Sequence, residues 1–201
     1  EDKMPNWCQN VIYVNHQDFK LMESTLEAIK QGRLCDHIIP YPDVFKDIHS
    51  GYCTINGEDH EVWRVDAPRD ADYITKMDAD NIPIPEKEQK EIIRKYGCIK
   101  PIDWTSENWG MKWDISEVEY HGFGELDLHR SFGLHCFKFD TPWCSPIPVF
   151  EKMHQLGYVL FAEYVEYGMG FCGQFMDGKE YYNNSIPDDW NVHKYLEQVY
   201  S

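Results

Sequence analysis

The chain has 201 residues, 42% of them hydrophobic and 15% aromatic, and a formal charge of −16 from 19 basic and 35 acidic side chains. So apolar a composition excludes a disordered chain, and the length fits one large domain or two small ones. Divided at Ile84, the chain holds 8 basic and 16 acidic residues before that point and 11 and 19 after it. The acidity is therefore spread over the surface. It disfavours nucleic acid and anionic lipid as direct partners and leaves open a basic protein, mimicry of a nucleic acid, or plain solubility.

Seven cysteines without a C-x-x-C pair argue against a disulfide framework and a zinc ribbon, and for a reducing, cytoplasmic setting. No apolar run approaches the roughly 20 residues of a membrane span, and no secretory leader is visible. Glu1-Asp2-Lys3 precede Met4-Pro5, which makes Met4 the expected natural start.

In chain order, Trp7 to Val14 predicts a central strand, short, aromatic and β-branched. Asp18 to Gln31 predicts a helix with Phe19, Met22, Leu26 and Ile29 on one face and Gly32 as its stop. Leu34 to Ile39 reads as a second strand, closed by Pro40-Tyr41-Pro42. From Asp43 to Pro85 the pattern loosens into an inserted, irregular, partly extended excursion. Within it Asn56-Gly57 signals a hairpin between Tyr52–Ile55 and Glu61–Val65. Eight acids between Glu58 and Asp80 read as a solvated face. Pro85 to Tyr96 predicts a helix, with Glu86 and Glu88 at its positive end and Gly97 beyond it.

Three tryptophans, Trp104, Trp109 and Trp113, crowd the next stretch. Glu117 to His121 and Phe132 to Phe139 predict strands joined by a Gly-rich link. Pro146 to Leu156 predicts a helix with Val149, Phe150, Met153 and Leu156 on one face, and Tyr158 to Tyr167 a further strand. Phe171–Met176 and Lys179–Tyr182 form a hairpin over Asp177-Gly178. A last helix begins at Asp188-Asp189 and buries Val192, Tyr195, Leu196 and Val199. The expected fold is α+β: a ferredoxin-like (split β-α-β), mainly antiparallel sheet with helices on one face, plus the excursion at 43–85. It forms one compact unit over 1–201, or divides into 1–100 and 101–201.

Four stretches in order carry a resemblance: Met4-Pro5-Asn6-Trp7-Cys8-Gln9-Asn10; Asn108-Trp109-Gly110-Met111-Lys112-Trp113-Asp114; Phe139-Asp140-Thr141-Pro142-Trp143-Cys144-Ser145-Pro146; and Tyr164-Val165-Glu166-Tyr167-Gly168 with Phe171-Cys172-Gly173. The chain resembles the YubB/Api-type proteins of phages and plasmids, which have a ferredoxin-like domain. The resemblance implies a mobile-element origin, a bacterial cytosol and no particular reaction; the word ferredoxin refers to fold, and no iron–sulfur cluster is expected, since closely spaced cysteines are missing.

The candidate binding residues are Asn6, Trp7, Asn10, Trp109, Lys112, Trp113, Asp114 and Trp143. Tryptophans beside a lysine and a carboxylate make a stacking platform or a charge-assisted pocket. The plainer reading is a folded loop whose indoles plug the sheet while Lys112 and Asp114 pair locally. Asn6, Cys8 and Asn10 share a strand face, and a buried amide there must find partners. A metal site from His129, His135 and Cys136, or from Glu58 to Glu61, is disfavoured because adjacent strand residues point to opposite faces. Among the cysteines Cys144 is the most exposed candidate for a nucleophile, with Lys138 and His135 upstream, but a packed thiol is the favoured reading.

No nucleotide-binding or hydrolase motif is present and no cofactor or metal is expected. The leading expectation is an accessory protein that contacts a host or mobile-element protein, one concrete form being an acidic counter-defence inhibitor. An enzyme with a nonstandard hydrolase or nucleotide-processing site is the alternative, and would need a pocket joining Lys112, Asp114 and a histidine. RNA binding over exposed Phe137 and Phe139 ranks last, because the charge is wrong.

Overall fold

The computed structural model describes residues 6–67, 75–76, 79–123 and 133–188. The chain forms a mixed α+β structure of two units, Glu1–Pro40 with Asn108–Ser201, and Tyr41–Glu107. The boundaries fall at 40 and 107, where the sequence suggested 100. The acids expected on a solvated face at Asp70, Asp72 and Asp78, the Gly-rich link from 124 to 132 and all but the first residue of the expected last helix lie outside the described residues.

The first unit is built on a six-stranded antiparallel sheet. Its strands are β1 (Trp7–Asn15), β5 (Ser116–Phe123), β6 (His135–Pro142), β7 (Val159–Glu166), β8 (Phe171–Met176) and β9 (Lys179–Asn183), in the order β5-β6-β1-β7-β8-β9. β1 is central, as its nearly unbroken apolar run requires, and pairs antiparallel with both neighbours. β6 and β7 therefore run parallel to each other on either side of β1. The helix that joins them is α5 (Ile147–Gln155).

α1 (Phe19–Lys30) starts where Asp18 accepts the amides of Lys20 and Leu21 at 2.9 and 3.1 Å, an N-cap that satisfies otherwise orphaned donors. It buries Met22, Thr25, Ala28 and Ile29; Phe19, expected on that face, is 75% exposed at the helix start. Thr25 meets the Tyr158 hydroxyl at 2.6 Å, and Phe150 of α5 packs on Phe175 of β8. These helices cover the sheet face of Ile12, Phe137 and Ala162, which are cross-strand neighbours and fully or nearly fully buried. On the other face Val11, Tyr13, Leu134 and Cys136 form a second cluster, against which Phe161 packs.

One expectation is overturned inside this unit. Leu34–Ile38 is not a strand but the short helix α2. Its buried Leu34, Cys35 and Ile38 have helical spacing, and its first amides are held by a carboxylate 79 residues away, described below.

The second unit corrects the picture of an irregular excursion. It holds a three-stranded antiparallel sheet, β2 (His49–Ile55), β3 (Glu58–Val65) and β4 (Asn81–Pro83), in that order. The β2–β3 turn is the expected one, with Asn56 and Gly57 both at positive φ, 53° and 84°. Two helices follow, α3 (Glu86–Tyr96), closed by Gly97 at φ 82°, and α4 (Pro101–Asn108). A core of Phe45, Ile48, Val62, Ile92 and Trp104 is buried in this unit. Phe45 packs against Tyr96 in a tilted arrangement at 5.3 Å, and Trp104 meets Tyr41 edge-on at 5.5 Å. An aromatic cluster of this size gives the insertion a core of its own.

Candidate functional site

The four stretches that carry the family resemblance are far apart in sequence and meet at the start of β1. Register brings the first of them together, because Cys8 pairs with Thr141 on one side and Glu166 on the other. Asn10 is buried there, and its amide donates to the Cys8 carbonyl and to Thr141 Oγ1, each at 2.8 Å. Thr141 in turn donates to the Cys144 carbonyl at 2.7 Å. The Trp143 amide donates to the Asn6 carbonyl at 2.8 Å. This chain of bonds fixes the turn after β6 in a shape that puts Trp143 at φ 72°, a conformation that L residues adopt only when their surroundings enforce it.

The consequence is an exposed group of indoles. Trp143 is 49% exposed, and Trp7 and Trp113 are each 37% exposed. Trp7 and Trp113 meet edge-on, with centroids 6.1 Å apart. The Lys112 ammonium lies 5.1 Å from the Trp113 ring centre and 5.9 Å from that of Trp143, both within cation–π range.

Two of the sequence candidates are used elsewhere. Trp109 is buried and donates its indole N–H to the Ile39 carbonyl at 2.9 Å. Asp114 faces the start of α2, where its oxygens accept the amides of Cys35 and Asp36 at 2.9 Å, and that of Ile115 at 2.8 Å. Burial pushes its carboxyl up, and these three amide bonds oppose the rise.

Beside the indoles is a cavity of about 540 Å³. Its walls include Trp143, Tyr164, Phe171, Tyr182, Met169 and Ser145, and Asn6 and Glu180 bring polar side chains to it. Glycine at 110 is a steric requirement: its φ is 79°, and a Cβ there would come within 2.8 Å of Pro148. Glycine at 173 is another, because Tyr164 lies across it from the neighbouring strand. That crossing lets the Tyr164 hydroxyl donate to Glu180 in a short hydrogen bond. Burial first, and then this carboxylate, push the Tyr164 phenol up. The Ser145 hydroxyl is buried and has no hydrogen-bond partner among the described residues.

Cys144 is a packed thiol. Its Sγ donates to the Gly110 carbonyl at 2.7 Å, and burial, with Glu180 second, pushes its ionisation up. A thiol held protonated in this way is a poor nucleophile. Among the described residues no histidine lines the cavity, and no group of three or more His, Cys, Asp or Glu could hold a metal ion; His129 lies outside them. Phe137 and Phe139 are fully buried and offer no stacking surface.

The sequence reading picked out Asn6, Trp7, Lys112, Trp113 and Trp143 at this place and missed Ser145, Met169, Glu180 and Tyr182. Glu180 and Tyr182 reach the cavity through the β8–β9 register, in which they stand opposite Phe175 and Gly173. A periodicity of two in β9 was the available signal, but it does not say which cavity a strand face meets. No helix among the described residues is long and apolar enough to cross a membrane. Set against protein-family models, curated proteins and solved structures, the chain matches none.

Proposed function

We propose that the chain is a binding protein, an accessory factor of phage or plasmid origin that works in the bacterial cytosol by engaging a basic host or mobile-element protein. The observation that carries this reading is the group of exposed indoles, Trp7, Trp113 and Trp143, beside an aromatic-walled cavity with a carboxylate at Glu180. Large aromatic side chains set in a polar surface are what protein interfaces use as anchors. A charge of −16 draws a basic partner and speeds its encounter. Inhibition of a host defence protein is one form such binding takes.

The strand order β5-β6-β1-β7, with α1 after β1 and α5 between β6 and β7, agrees with a ferredoxin-like layer extended by the β8–β9 hairpin. This supports the family resemblance as a matter of fold. The function rests on the surface and not on the fold.

The test is capture from host lysate with the tagged wild type and with a Trp7→Ala, Trp143→Ala double variant whose fold is checked by circular dichroism. A basic protein retained by the wild type, released by salt and lost in the variant is the expected result. Equal retention by both proteins overturns this reading.

A further inference from the structure

Resting on that reading, we propose that the cavity takes one arginine side chain of the partner. Two exposed rings, Trp143 and Tyr182, contribute open aromatic surface to it; Tyr164 and Phe171 are almost fully buried in its wall, and Met169 and Pro148 also line it. A planar guanidinium stacks on aromatic faces and is less strongly hydrated than an ammonium, so it suits a slot of this kind.

The polar groups of the cavity ask for a donor. One oxygen of the Glu180 carboxylate is taken by the Tyr164 hydroxyl, and the carboxylate makes no other hydrogen bond among the described residues. Asn6 also lines the cavity, whereas the Ser145 hydroxyl oxygen is buried away from it. Arginine brings five N–H donors in a fixed fork and no acceptor. A phosphate or carboxylate ligand would instead meet Glu180 head-on. The volume of about 540 Å³ exceeds one side chain and leaves room for the neighbouring residues of a bound peptide.

Lys112 is outside the cavity wall, across Trp113 and Trp143. It shows that the π faces of this cluster accept a cation. Its own charge opposes a second one, which gives the proposal a sign test: an arginine ligand binds the Lys112→Met variant at least as well as the wild type, whereas an anionic ligand loses affinity.

The probe is a capped Gly-Arg-Gly peptide, followed by the indole N–H signals of the full chain in NMR, with its citrulline and lysine counterparts as controls. The arginine peptide is expected to shift the Trp143 signal saturably. The neutral citrulline peptide, and the arginine peptide on Glu180→Gln, are each expected to bind about tenfold more weakly, the worth of one charge-assisted hydrogen bond. Glu180 is exposed on the last described strand, and its glutamine replacement keeps an oxygen that can accept from Tyr164; circular dichroism checks the fold, and Met169→Ala, also exposed, is a second variant expected to weaken binding. Equal binding of arginine and citrulline, or of arginine and lysine, overturns the assignment. If the arginine peptide leaves Trp143 unmoved while the indole double variant still loses its partner, the arginine assignment fails and the binding reading stands. If the peptide binds but partner capture ignores the indoles, the binding reading fails.

Discussion

Replacing Glu163 by glutamine should remove a large part of the pH dependence of stability. Glu163 sits in the middle of β7, paired with Val11 of β1 and Gln174 of β8, and is 2% exposed. One carboxylate oxygen accepts from the Gln174 amide at 3.0 Å, and the other has no partner. Burial pushes the carboxyl up to about 7 from an ordinary 4.5, and the Gln174 bond only partly opposes the rise. At about 1.4 kcal/mol per pH unit, that difference is worth about 3 kcal/mol.

The sign follows from which state binds the proton. Below 4.5 the group is protonated in both the folded and unfolded chains and adds nothing. Above about 7 it is ionised in both, and the folded chain bears the full cost of the buried charge. Stability therefore falls as pH rises from 4.5 to about 7. Asp114 and Asp140 are also pushed up by burial and act in the same direction. The exposed Asp59 and Glu61 and the half-buried Glu88 are held down by hydrogen bonds from Tyr52, Lys100 and Arg64 and act against it. All of these cancel when the wild type is compared with Glu163→Gln, as does the fixed cost of the orphaned amide in the variant. Urea unfolding at a series of pH values is the assay. The variant should gain about 3 kcal/mol relative to the wild type between about pH 4.5 and about pH 8. A difference between the two proteins that does not change with pH refutes the reasoning.

Gly173→Ala places a methyl group where the Tyr164 phenol lies, so the tyrosine must leave Glu180; a loss of about 1–3 kcal/mol and a changed near-ultraviolet dichroism are expected. Asp114→Ala removes the acceptor of the first α2 amides and should cost about 1–3 kcal/mol, with hydrogen exchange at Cys35 and Asp36 quickened most. Cys144 should be alkylated by iodoacetamide far more slowly in the folded chain than in urea, because burial and Glu180 both hold the thiol protonated.

Local chemistry was legible where it is decided locally. Asp18 and Gly32 bracket α1, and Asn56-Gly57 and Asp177-Gly178 make both two-residue turns with the positive φ angles such turns demand. Leu34–Ile38 was misread because a short apolar run ending at a proline fits a strand or a helix equally well by periodicity. What decided it was Asp114, a tertiary cap that no window around residue 34 contains. The ordered sheet of the second unit was half seen: the hairpin had its Asn-Gly signal, but β4 is three residues long and has no pattern to read. At the candidate site the tryptophans announced themselves by rarity and clustering. Nothing in the spacing distinguished Trp109, which ends in the core, from Trp113, which ends at the surface.

The bond from the Trp109 indole to the Ile39 carbonyl joins the two points at which the chain leaves the first unit and returns to it. Residues 41–107 thus span a gap that one indole bridges, and the entropy of closing so long a loop grows only slowly with its length. A crossing pinned in this way makes the position a natural port for inserted sequence. The sheet should form with the insert exchanged for a short flexible linker, leaving the surface at the start of β1 unchanged.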